Sequence, residues 1–165
     1  MIPSALSHPA FLARFGPVYE GSPWAAEAVW PQVEAGALDD RTALAAAMRA
    51  AVDAAPPELR LALVRAHPEL AGRTRMAEAS VKEQAGAGLD QCTPAEFAAF
   101  QRLNAAYGAR FGHPFIVAVK GTARADILAA FEARLANDPG TEFETAMAEI
   151  HRIAGFRIAD LFAEG

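Results

Sequence analysis

Apolar residues return at intervals of three and four along almost the whole of this chain, alanine fills many of the places between them, and strict strand-type alternation is nearly absent. That spacing is the period of one face of an α-helix, so the chain is committed to helices that bury their apolar stripes against one another. The expected fold is all-α: a single-domain helical bundle of about eight helices over residues 1–165, with one short buried extended connector. The 165 residues are about one domain's worth, and a domain near that size buries about two-thirds of its unfolded surface. Hydrophobic residues at 53% against 21% charged keep the chain away from the composition of disordered segments.

Proline and glycine mark where the helices stop. Ser7 or His8 with Pro9 opens a first short helix carrying Phe11 and Phe15 and closing near Gly16, and Ser22-Pro23 opens a second. A third spans about 40–54, capped by Asp39 or Asp40, with Leu44, Met48 and Val52 on one stripe. The fourth, about 57–66, carries Leu59, Leu63 and Ala66 on its apolar side. Pro68 pushes the residue before it out of the helical region, so His67 stands at a helix end. The fifth, roughly 76–87, ends at the glycines of GAGLD, and Thr93-Pro94-Ala95-Glu96 has capping-box spacing for a sixth. Phe97, Phe100, Asn104, Tyr107 and Phe111 then keep one helical rhythm. HPFIVAVKG at 113–121 is rich in β-branched and aromatic residues but too short to build a sheet, and is expected as the buried connector. Two more helices, about 123–137 and 142–162, flank the turn NDPGT.

Several function classes fall away. A net charge of -5 with no basic block offers no footprint for nucleic acid. A lone cysteine, Cys92, excludes a disulfide framework and a multi-cysteine metal site, and fits a free thiol in a reducing compartment. No histidine pair has metal-ligand spacing, so no metal is expected. The start lacks the features of a secretory signal, no run reaches 18 apolar residues, and the ending LFAEG is not a peroxisomal address. A cytoplasmic protein that spans no membrane is the expectation. There is no Gly-x-Ser-x-Gly elbow, and GAGLD lacks a P-loop lysine.

Three features are out of place in a merely packed bundle. Counting by threes and fours from Phe143 through Met147, Ile150 and Ala154 puts Arg157 on the stripe that faces the core. Such an arginine either reaches the rim or pairs with an internal carboxylate, or else it clamps an anion with its planar fork of donors. Arg152 shares its face with Glu149 and Asp160 and is expected in solvent. Ser80, Glu83 and Gln84 stand at i, i+3 and i+4 on one helix face. On spacing alone, a solvated face accounts for them as well as a polar wall does. His67, at the C-terminal end of a helix, is where the helix dipole favours an imidazolium, although the other pairs His8-Pro9 and His113-Pro114 show that the dipeptide is not diagnostic.

Taken together, AHPELAG at 66–72, SVKEQAGAGLD at 80–90, LNAAYGARFGHPFIVAVKG at 103–121 and EIHRIAGFRIADL at 149–161 resemble, in order and spacing, the 2-oxo-4-hydroxy-4-carboxy-5-ureidoimidazoline (OHCU) decarboxylases of urate breakdown. FGPVYEGSPWAAEAVW near the start extends the resemblance over nearly the whole chain. It implies a cofactor-free helical decarboxylase, commonly a homodimer, that turns OHCU into (S)-allantoin. His67 resembles the family's catalytic histidine, Arg157 its C-terminal arginine, and Ser80, Glu83 and Gln84 its substrate-lining Ser, Glu and Gln, with Glu83 expected to act as partner to His67; His8 and His113 lose any such role. Pro68, Ser80 and Gln84, with the backbone of Phe115, Ile116, Val117, Ala118 and Val119, resemble the substrate pocket. His113 departs from the family, where an apolar residue commonly precedes Pro-Phe, which implies no more than an altered pocket edge. Two other readings stand beside this one: a non-catalytic helical interaction module, and a decarboxylase of a related ureido or imidazoline acid.

Overall fold

A computed structural model describes residues 1–72 and 78–164. Among the described residues there are nine α-helices, three short 3-10 turns and no strand, so the all-α expectation holds. The chain divides into two compact units. One comprises residues 1–66 and 151–165, and the other residues 67–150.

In the first unit, α1 (His8–Phe15) is capped by Ser7, whose hydroxyl accepts from the N–H of Ala10, and it buries Phe11 and Phe15 completely. The segment opened by Ser22-Pro23 is two helices rather than one, α2 (Trp24–Glu27) and α3 (Trp30–Glu34). Pro31 explains the break: it has no N–H to give, and its ring crowds the carbonyl four residues back, at Glu27, where α2 stops. α4 (Arg41–Asp53) is capped by Asp40, whose carboxylate accepts from Thr42 and Ala43 N–H, while Asp39 holds the backbone and hydroxyl of Ser4. Leu44, Met48 and Val52 are fully buried on its expected stripe. Each such side chain contributes about 1.5–3 kcal/mol through burial. α5 (Pro57–Ala66) departs from expectation, because Leu63 and Val64 are buried while Leu59 and Ala66 are exposed. Its buried face is centred on Leu63 and Val64, roughly a quarter-turn from the stripe drawn through Leu59.

In the second unit, α6 (Glu78–Gly86) begins inside the expected 76–87; its expected first two residues lie outside the described ones. α7 (Pro94–Phe111) starts with the capping box, as Thr93 Oγ accepts from Glu96 N–H and Glu96 accepts from Thr93 N–H. α8 (Arg124–Arg134) stops three residues before the expected 137. α9 (Pro139–Ala163), which belongs to this unit as far as Ile150 and to the first from His151 on, starts at Pro139 instead of 142, because the NDPGT turn is its cap: Asp138 accepts from the N–H and hydroxyl of Thr141, and Pro139 supplies a first-turn residue that needs no donor. Phe100, Leu103, Tyr107, Ile127 and Phe131 are fully buried, and the Phe115 ring stacks on Phe131 with centroids 3.9 Å apart. The connector carries neither helix nor strand at 113–119 and buries Phe115, Ile116, Ala118 and Val119, as its composition demands.

Candidate active site

α5 ends at Ala66, so His67 stands just past a helix terminus, and its side chain is more than nine-tenths buried. Pro68 follows, half-buried, and then the turn Glu69-Leu70-Ala71. Ala71 has φ +52°, the one left-handed residue other than glycine among the described residues. An L-residue with a Cβ is strained there, by about 1–2 kcal/mol. Three amides hold the turn. Gln84 accepts the Ala71 N–H at 3.0 Å and donates to the Glu69 carbonyl at 3.2 Å, Gln101 donates to the Ala71 carbonyl at 3.4 Å, and Asn104 donates to the Leu70 carbonyl at 3.0 Å.

Ser80 and Gln84 are both buried, and Glu83 between them is half-buried, whereas Val81 and Lys82 face solvent. The trio is therefore not a solvated face: a hydroxyl and an amide line an inward wall with a carboxylate at its margin. The amide of Gln84 uses both ends on backbone, so part of its task is to fasten the turn after His67.

The connector is fixed by charged groups that local periodicity does not reveal. Arg134 donates to the Ile116 carbonyl and stacks its guanidinium 4.3 Å from the centre of the Phe115 ring. Its Nε also donates to Glu142 at 2.8 Å. Glu142 is completely buried and accepts as well from the Tyr107 hydroxyl and the Asn137 amide. Burial, and then the hydrogen bond to Glu142, push the Tyr107 hydroxyl above its ordinary value, which keeps it a donor. Two residues further along, Ala118 N–H is held at 2.7 Å by Glu149, a carboxylate that is half-buried and not simply part of a solvated face with Arg152. Backbone in a buried irregular segment needs such partners.

His67, Pro68, Ser80, Glu83, Gln84 and the residues from Phe115 to Val119 thus belong to one unit. Arg157 belongs to the other, where it is buried as the helical count predicts. Its Nη1 lies 2.9 Å from Glu20 Oε2 and 3.3 Å from the carbonyls of Pro17 and Val18. Glu20 escapes a reading by periodicity because it sits in a turn, and the pair is 137 residues apart. The turn itself needs Gly21: φ is +58°, and a Cβ there would meet the Ala66 side chain at 3.2 Å. Beside it, the Tyr19 hydroxyl meets His151 Nδ1 at 2.9 Å, and His151 Nε2 meets Asp53 at 3.0 Å.

A buried histidine on a braced turn, an inward polar wall and a pinned apolar connector lie in the same unit. A family model described as OHCU decarboxylase matches residues 4–159. The chain belongs to this family. It is 43% identical to a 2-oxo-4-hydroxy-4-carboxy-5-ureidoimidazoline decarboxylase of Haloferax volcanii over 96% of this chain and 92% of that one. Among solved structures it is similar to an (S)-allantoin synthase, at a TM-score of 0.78 and 31% identity, covering 96% of this chain and 52% of the other. An OHCU decarboxylase solved in the presence of (S)-allantoin shares the fold, with a TM-score of 0.71 and 23% identity over 88% of this chain and 95% of that chain. Family membership turns the four linked motifs from a resemblance into a finding, with Asn104 and Glu20 as buried polar residues that the motif reading left without a role.

Proposed function

We propose that this chain is a carboxy-lyase that decarboxylates OHCU to (S)-allantoin in urate degradation, acting as one functional domain over residues 1–165. What carries this reading is the match along residues 4–159 to a family named for the reaction, in a chain that keeps all four motifs in order.

Loss of carbon dioxide breaks a carbon–carbon bond and leaves its electron pair behind, and the pair needs a sink. In OHCU the carboxylated carbon adjoins a ring C=N, so the pair forms a carbon–carbon double bond while the imine electrons move to the ring nitrogen, which takes up a proton; protonation of the adjoining carbon, with loss of the hydroxyl proton, then yields allantoin. The substrate carries its own sink, which is why the reading includes no cofactor and no metal. The protein then has three tasks: orientation, electrostatic stabilisation and delivery of the proton to one face. His67, with Glu83 as partner, exchanges protons with the hydroxyl and ring. Arg157 holds an anionic or ureido oxygen of the substrate, a use for which a planar fork of donors is suited. Ser80 and Gln84 orient the ring, and Pro68 with the backbone of Phe115 to Val119 forms the pocket's apolar and amide lining. The same reading includes a homodimer in the cytoplasm. No described helix is long and apolar enough to cross a membrane.

The decisive experiment generates OHCU in place from urate and follows its loss and the optical activity of the allantoin formed. Accelerated loss with a single enantiomer is the expected result. Unchanged decay to racemic product would return the chain to the interaction-module reading, and turnover only of a related ureido acid would change the substrate.

A further inference from the structure

We infer that Gln84, Gln101 and Asn104 form a positioning clamp that holds Ala71 left-handed and so fixes where the His67 imidazole stands during turnover. The inference rests on the reading of His67 as the proton-handling group and extends it to two residues, Gln101 and Asn104, that the family motifs leave without a role.

Four hydrogen bonds from three amides on α6 and α7 converge on three consecutive residues. Their target includes the strained backbone of Ala71, which an alanine does not keep unaided. At His67 and Pro68 the chain is stiff. Pro68 has its φ locked by its ring, and His67 is restricted by the proline that follows it. Torsional freedom is therefore concentrated at 69–71, where the clamp acts, and a flip of Ala71 to its relaxed conformation would swing the short rod that carries the imidazole.

Asn104 supplies an independent argument. It is 5% exposed, sits on the apolar stripe of α7 between Phe100 and Tyr107, and its Oδ1 has no hydrogen-bond partner among the described residues. A buried amide with one end unsatisfied is unfavourable compared with a leucine of similar volume. Stability alone does not favour asparagine here, and its donation to the Leu70 carbonyl is the contact that a leucine would lose.

The test compares Asn104→Leu and Gln101→Leu, each in the natural Ala71 background and in an Ala71→Gly background, by kcat, KM and melting. Gln101 is exposed, so its variant folds even where Asn104→Leu does not. A displaced catalytic group lowers kcat, and we expect about 10- to 100-fold for Asn104→Leu with KM changed less than about twofold. Gln101→Leu shows a smaller loss of the same kind. Because glycine adopts the left-handed conformation without strain, each loss shrinks at least about threefold in the Ala71→Gly background. Equal losses in both backgrounds, a rise in KM alone, or lowered melting with kcat intact would each overturn the clamp. The underlying reading fails separately: full turnover by His67→Asn removes His67 and the clamp together, whereas an inactive His67→Asn beside fully active Gln101→Leu and Asn104→Leu removes the clamp only.

Discussion

Glu20 Oε2 lies 2.9 Å from Arg157 Nη1, with both side chains more than nine-tenths buried. Two opposite charges withdrawn from water in this way cost desolvation that their attraction only partly offsets, so the pair adds little net stability but is costly to break. It also fixes the plane of the guanidinium, which the carbonyls of Pro17 and Val18 constrain further. Glu20→Ala should therefore destabilise the fold by about 3 kcal/mol, because a charged guanidinium stays buried without its carboxylate. Glu20→Gln, which keeps an acceptor, should lose less. Urea unfolding measures both, and equal, negligible losses would show that other groups neutralise Arg157.

The buried network around Glu142 makes the same argument in the other unit. Tyr107, Arg134 and Asn137 all direct donors at one carboxylate that has no solvent exposure. Glu142→Leu leaves those donors stranded together and is expected to cost roughly 3–5 kcal/mol. Arg134→Met removes the donor to the Ile116 carbonyl as well, so it should raise hydrogen exchange at 115–119 more than elsewhere. Uniform exchange across the unit would argue that Arg134 does not hold the connector.

Periodicity carried far in this chain because helices are local objects. The stripe on α4, the capping box of α7 and the inward place of Arg157 all follow from spacings of three and four residues. What escaped was the buried face of α5, geometric detail at a proline, or a partner remote in sequence. Pro31 split one expected helix into two, and Asp138 with Pro139 made a cap of what reads as a free turn. Glu20 and Glu142 are acidic residues near helix ends, where a solvated carboxylate is the ordinary expectation, and nothing local marks either as buried. The amide of Asn104 on an otherwise apolar and aromatic stripe is a signal that a count of helical rhythm alone passes over.

His151 makes stability depend on pH. Burial pushes its pKa below the ordinary histidine range, against the pull of Asp53, and burial first of all pushes the Tyr19 hydroxyl up. The arrangement fits a neutral ring that accepts from Tyr19 at Nδ1 and donates to Asp53 from Nε2. The folded state then binds fewer protons than the unfolded chain, whose histidine titrates near about 6.5. Stability should hold level above that value and fall as pH drops from it toward the depressed folded pKa. Urea midpoints at neutral and mildly acidic pH should differ less in His151→Gln than in the natural protein, and an identical difference would exclude His151 as the source.

His67 is the residue on which the proposed chemistry turns, and its placement separates catalysis from folding. It lies past the end of α5 and before a proline, outside the helix's own residues. His67→Asn keeps a polar side chain of smaller size and should unfold at nearly the natural urea concentration. General acid–base help is typically worth about 10² to 10⁴-fold, so the OHCU-dependent rate should fall by that range or more. Glu83→Gln, which removes the charge but keeps the shape, should lose less and should shift the pH profile of kcat, because in the proposed pairing the carboxylate favours the protonated imidazole. A Glu83→Gln protein with lowered rate but an unmoved profile would place Glu83 against the substrate instead of the imidazole.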